Sequence, residues 1–222
     1  MSEGARTMWR MTDLADAFLV AATSAADLLA DPAVAESWDK PSALAEFSVR
    51  GLAGHLALQV LNVPDVLAAE VPDQPMLTLE GHYGRVAWRG AALDNETNTA
   101  IRAGGEARAQ EGPAAVVADV RAAIERLRPA LTEIDGARPV FLPWSGSTLT
   151  ADDFLVTRMM EIAVHSDDLA VSVGVETPEL PVRVMHPVYD LLFVLALRRH
   201  GQTAVLRALS RAERAPASIS AL

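Results

Sequence analysis

From Thr150 to Gly174 the chain reads TADDFLVTRMMEIAVHSDDLAVSVG, and this stretch restricts the fold more than any other. Leu155, Met159, Ile162, Ser166, Leu169 and Val173 recur at three- and four-residue steps, which a 3.6-residue period gathers into one mostly apolar seam. Arg158, Glu161, His165, Asp168 and Ser172 keep the same steps one position earlier, so they form a wholly polar line about 100° around the cylinder. Thr150 is placed to cap the helix, Asp152 and Asp153 suit the positive end of its dipole, and Gly174 is placed to stop it. A helix of this kind needs partners to cover its seam.

The polar line admits two readings. On a solvent-facing helix these residues would be ordinary i,i+3 and i,i+4 pairs, each worth a few tenths of a kcal/mol. Glu161 and His165, however, stand four apart with Cβ atoms about 6 Å from one another, so a carboxylate and an imidazole can meet at one point. That is half a metal site, and the other half must come from a distant helix.

The 222 residues, 50% of them apolar, suffice for one sizeable core. Cysteine is absent, which excludes disulfides, thiolate metal sites and a protein-borne sulfur nucleophile, and fits a reducing, cytoplasmic setting. A formal charge of −10 argues against nucleic acid or an anionic membrane as partner, since both are met by clustered positive charge. The apolar run near Leu14–Ala22 is broken at helical spacing by Asp13, Asp16 and Asp27, and no basic region with a cleavage site accompanies it. It reads as an amphipathic helix over Thr12–Ala30, with Leu14, Phe18, Ala22, Ala25 and Leu29 inward.

Residues 31–47 read as a long connection containing Trp38. A second helix follows from Ser48 to about Asn62, apolar along Val49, Leu52, Leu56, Val60 and Val63, with His55 beside that line. Gly51 and Gly54 flank His55, and each glycine costs about 1 kcal/mol of helix propensity against alanine, so a close neighbour is expected there. Helices are further expected over Asp65–Glu70, Leu77–Trp88, Asp94–Glu111 and Ala114–Leu131, the last with Val117, Val120, Ile124, Leu127 and Leu131 inward. His82 reads as a surface residue or a fourth member of the site. Pro139–Trp144 fits an extended edge segment, with Pro216–Leu222 a candidate to pair beside it. Two more helices are expected over Leu180–Arg199 and Thr203–Arg211. The fold class is all-α: a helical bundle with extra C-terminal helices and minor extended segments.

Three stretches, W38-D-K-P-S-A-L with S48-V-R-G-L-A-G-H55-L, then L142-P-W-S-G, then T157-R-M-M-E161-I-A-V-H165-S-D-D168-L, resemble the mycothiol-dependent maleylpyruvate isomerase family. That family lies within the DinB-like (YfiT-like) superfamily of four-helix-bundle metalloproteins. The resemblance covers most of residues 12–174 and implies that His55, Glu161 and His165 bind one divalent metal, zinc first among the choices. Two imidazoles and a carboxylate leave a coordination position open, the pattern of catalytic rather than structural zinc. A thiol at such an ion is ionised near neutral pH, and in a chain without cysteine it must come from a small cosubstrate, which the resemblance implies is mycothiol.

The expected activity is attack of that thiol on an electrophilic small molecule, giving cis–trans isomerisation or a stable S-conjugate. Arg158 and Asp168 are expected to assist, Arg158 by orienting Glu161 or meeting an anionic group and Asp168 by accepting from a ligand histidine. No thiol-binding residue is assigned. Trp38 and Trp144 read as packing residues rather than cofactor platforms. Residues 1–174 are expected to form the bundle and 175–222 an extension packed on it, and those 48 residues are short for the separate C-terminal domain of maleylpyruvate isomerases. The rival readings are an S-transferase, a non-catalytic binding or homodimerisation module with a relic site, and an iron centre of the hydroxylase kind.

Overall fold

Side-chain caps fix where the helices begin. In the computed structural model, which describes residues 11–85 and 95–222, Ser48 accepts from Gly51 N, Asn95 from Asn98 N, and Thr150 from Asp153 N. Each cap satisfies a backbone donor that has no partner inside its helix. The helices so opened are α3 (Val49–Leu61), α6 (Glu96–Arg108) and α8 (Ala151–Val173). At the far end of α8, Gly174 takes φ 75°, the left-handed conformation that halts a helix.

The bundle consists of α1 (Met11–Leu29), α3, α7 (Pro113–Thr132) and α8, with α1 and α3 each packed against both α7 and α8. The inward residues read from periodicity are buried: Leu14, Phe18, Ala22, Ala25 and Leu29 on α1, and Val49, Leu52, Leu56 and Val60 on α3. Leu155, Met159, Ile162 and Leu169 of the α8 seam are sealed with them. Each of these side chains larger than alanine contributes about 1.5–3 kcal/mol of burial energy. On α7 the inward line is turned slightly from its expected place, since Val116 is fully buried and Val117 only partly.

The glycines of α3 have their neighbour in α6. A Cβ on Gly54 would collide with the Gly105 carbonyl, and one on Gly105 with the Gly51 carbonyl, so the two backbones touch where side chains are missing. Ser48, the cap of α3, and Arg50 in its first turn both bond Glu106, the Arg50 Nε–Oε2 distance being 2.7 Å, and lock the register of the pair.

Several expectations need correction. The 31–47 connection contains a short helix, α2 (Pro32–Glu36), because Asp31 caps it and Pro32 suits a first helical position. The helix expected at Asp65–Glu70 is α4 (Val63–Ala68), drawn forward by Pro64 in its first turn. Of the helix expected over Leu77–Trp88, α5 spans Leu79–Tyr83 with Thr78 as cap, and positions 86–88 lie outside the described residues. The extended segment β1 (Pro139–Leu142) pairs antiparallel with β2 (Ser147–Thr150), not with the chain end. A local hairpin closes at small entropic cost, and Gly146 with φ 62° supplies the turn. The chain end instead lies along α9 (Val182–His200), where His200 Nε2 is 2.8 Å from Ser220 O and Arg199 bonds Leu222 O. Val184, Val188, Leu191 and Leu195 of α9 join the same core as the bundle, and α10 (Gln202–Ser210) follows. The architecture is mostly helical with one two-stranded ribbon. Among the described residues no helix is long and apolar enough to cross a membrane.

Candidate metal centre

The polar line of α8 does not face water. Arg158 is 7% exposed, and the side chains of Glu161 and His165 are 17% and 14% exposed, because this face of α8 turns toward α3. That burial removes the reading of ordinary surface ion pairs. One ligand atom each from His55, Glu161 and His165 lies within 4.8 Å of the other two. The His55 and His165 rings meet edge to face with centroids 4.7 Å apart, and His165 Nε2 lies 3.2 Å from Glu161 Oε2.

The other ring nitrogen of His165, Nδ1, is 2.9 Å from Asp168 Oδ2. This partner faces Nε2 toward the cluster and holds the ring in place. The line continues in Ser172, whose Oγ donates to Asp168 O and accepts from Ala43 N at 2.8 Å, tying the 31–47 segment to α8. Phe47 from that segment sits 5.9 Å, centroid to centroid, from the His55 ring.

Charges within the cluster are strongly coupled. Burial pushes the Glu161 carboxyl up, but the His165 hydrogen bond and the nearby positive charges outweigh it and hold it down at about 2. Burial would lower His165, yet hydrogen bonds with Asp168 and Glu161 raise it to about 9. His55 is lowered to about 3, first by burial and then by the charge on His165. Without an ion the site therefore holds a protonated His165 between two carboxylates and a neutral His55. Two imidazoles and an ionised carboxylate converging on one point are a donor set suited to a first-row divalent ion. The residues present fit such an ion.

Arg158 is anchored differently from expectation. Its Nη1 donates to Gln59 Oε1 on α3, its Nε donates to Thr157 Oγ1 at 3.1 Å, and its guanidinium lies 5.4 Å from the Trp144 ring and 5.6 Å from that of Phe154. Gln59 in turn donates to His55 O at 2.8 Å, with its Nε2 3.4 Å from His55 Nε2. A hydrogen-bonded path thus runs from Arg158 through Gln59 to His55. Trp144 is 48% exposed and forms one face of the Arg158 slot rather than core, whereas Trp38 packs on the core. Gln59 was missed from sequence although it stands one turn beyond His55, a spacing that carried the signal. Phe47 and Tyr83 had no such signal, since neither shares an element with a ligand.

His82 is not a surface residue. It is 3% exposed on α5, next to buried Tyr83, and lies outside the three-residue cluster. Both residues feel the charges of Glu161 and Arg158, and burial raises the Tyr83 hydroxyl well above its usual range.

The family model for the mycothiol maleylpyruvate isomerase N-terminal domain matches residues 18–170. The chain belongs to this family. The matched span runs from the middle of α1 to the last turn of α8, so it includes His55, Glu161, His165 and Asp168. Comparison with curated proteins and with solved structures gives no match. The family is thus a mycothiol-related one, named for an isomerase.

Proposed function

We propose that this protein is a thiol-dependent metalloenzyme in which His55, Glu161 and His165 hold one divalent ion, zinc by preference, and mycothiol is the cosubstrate. The observation that carries the reading is the meeting of His55 from α3 with the Glu161–His165 pair from α8, ligand atoms within 4.8 Å of one another. A divalent ion there supplies charge that keeps a thiol sulfur ionised near neutral pH. The protein has no cysteine of its own, so the sulfur is the cosubstrate's.

The chain's residues divide the remaining work. Asp168 fixes the tautomer of His165, and Gln59 steadies His55 through its main-chain carbonyl and its ring. Arg158, beside the rings of Trp144 and Phe154, offers a guanidinium for a carboxylate of the electrophile. Arg158 itself is buried, which strengthens the contact. The thiolate adds to an alkene carbon conjugated with a carbonyl, and the π pair moves to the carbonyl oxygen. The former double bond turns, and the pair returns to expel the thiolate. If a proton is taken up at carbon first, the product is a conjugate instead.

The test is product analysis with zinc-loaded protein, mycothiol and a panel of cis-unsaturated carboxylic acids. The isomerase form predicts a rearranged acid with thiol unconsumed. A stable adduct with stoichiometric thiol loss would make the protein an S-transferase. Zinc-loaded protein that does neither, and binds no thiol, would contradict the proposal.

A further inference from the structure

Trp144 is half exposed, yet it lies against a buried cation. It stands in the turn between β1 and β2, and that turn is braced rather than loose. Ser145 N donates to Leu142 O at 3.2 Å, and Gln74 Nε2 donates to Gly146 O at 3.2 Å and to Thr148 Oγ1 at 2.8 Å. Leu142 and Ser147, on either side of the turn, are buried. The indole is therefore presented from a fixed base, with its ring centroid 6.5 Å from that of Phe154, and much of its surface remains open to a ligand.

The cation beside it has neutral partners. Arg158 Nη1 and Nε bond Gln59 Oε1 and Thr157 Oγ1, and among the described residues no carboxylate pairs with the guanidinium at salt-bridge distance. Burying such a group is costly unless an anion compensates it, and two aromatic rings at 5.4 and 5.6 Å offset only part of that cost. Arg158 is tied to the metal cluster by bonds and not by charge alone. It bonds Gln59, whose Nε2 lies 3.4 Å from His55 Nε2, and Glu161 follows it by three residues on α8. A carboxylate held by Arg158 thus has the cluster on one side and the exposed indole on another.

We propose that Trp144 is a specificity-determining residue: while Arg158 takes the carboxylate, the exposed part of the indole packs on the conjugated carbons attached to it. The proposal rests on the reading of Arg158 as a carboxylate site. It adds the class of acid bound, one whose carboxyl group is conjugated with a planar double bond. A planar π system gains from an aromatic neighbour by offset stacking, and it brings fewer rotors to freeze than a saturated chain. A saturated acid of the same length keeps the Arg158 contact and loses the stacking. Trp144 therefore sets which acid is preferred, and Arg158 sets that an acid binds at all.

The experiment uses full-length protein with zinc added and no thiol, so that nothing reacts. Calorimetry measures the affinity for fumarate and for succinate, two four-carbon diacids of equal charge, in wild type, Trp144→Ala, Trp144→Phe and Arg158→Lys. Wild type is expected to prefer fumarate. Trp144→Ala should lose fumarate affinity more than succinate affinity, so that this preference falls about threefold or more, whereas Trp144→Phe, which keeps an aromatic ring, should retain most of it. A role in folding alone would weaken both acids together and leave the preference as it was. If Trp144→Ala is not helical by circular dichroism, Trp144→Leu replaces it with apolar bulk and no π system. A smaller fall in preference in the folded variant overturns the proposal, and so does a wild type that binds succinate as tightly as fumarate or binds neither. Arg158→Lys separates the two readings. If it weakens both acids while Trp144→Ala leaves the preference intact, the carboxylate site stands and the role of Trp144 falls. If it leaves both affinities unchanged, the carboxylate site falls and takes the proposal with it.

Discussion

His165 Nδ1 stands 2.9 Å from Asp168 Oδ2, on the side of the ring opposite the Nε2 that faces Glu161. One carboxylate thus orients the ring and another shares its business end, both from the same helix. Asp168→Asn keeps the shape but removes the charge that favours an Nδ1–H tautomer. Zinc affinity should fall about 10- to 100-fold, measured by competition with a chromophoric chelator, while Tm of the metal-free protein changes little. Unchanged affinity would mean that Asp168 is only an intrahelical partner.

Metal uptake should release a proton. In the metal-free site His165 is protonated up to about pH 9, whereas His55 is neutral down to about pH 3. An ion must displace the His165 proton, so apparent zinc affinity should climb about tenfold per pH unit and level off near pH 9. Calorimetry at pH 7 in buffers of different ionisation enthalpy should find about one proton released per ion.

The same shifts have opposite consequences for the metal-free fold. His165, raised above its ordinary 6.5, adds stability that is complete below pH 6.5 and is lost as pH rises toward 9. His55, lowered from 6.5, adds stability that is complete above pH 6.5 and is lost as pH falls toward 3. Chelator-treated protein should accordingly lose Tm in both directions, and zinc should flatten the alkaline limb.

Arg158→Lys tests the anion slot. Lysine keeps the charge but loses the planar group beside Trp144 and Phe154 and the fork that bonds Gln59 and Thr157. KM for an unsaturated carboxylic acid should rise about tenfold or more with zinc content unchanged. Loss of zinc instead would show that Arg158 acts through Gln59 on His55.

Two glycine substitutions should have opposite signs. Gly54→Ala drives a methyl into the Gly105 carbonyl and should destabilise by about 1–3 kcal/mol despite alanine's better helix propensity. Gly104→Ala meets only Leu58 Cδ1 at 3.9 Å and should stabilise by up to about 1 kcal/mol. Thermal unfolding of the two variants decides this, with about 2–4 °C expected per kcal/mol.

The helices with strong periodicity and a capping residue were legible in the sequence, and α8 most of all, from Thr150 to Gly174. The close approach at Gly51 and Gly54 was also legible, though not that α6 makes it. The hairpin was half-read: β1 was recognised, but polar Ser147–Thr150 carries no apolar alternation and was missed as its partner. The cluster needed two elements about a hundred residues apart in sequence, which spacing on one helix cannot join. Gln59 was not singled out, and His82 was read as a surface residue or a fourth member of the site, for a related reason. Their surroundings are set by tertiary contacts, and only packing reveals that the His82 ring is buried.

The most direct measurement is the metal content of purified wild type beside His55→Ala, each exposed to one excess of zinc and desalted. If His55 completes a site with Glu161 and His165, wild type retains about one equivalent and His55→Ala, still helical by circular dichroism, retains under about a tenth. Equal zinc in the two proteins, or none in wild type, would contradict the account.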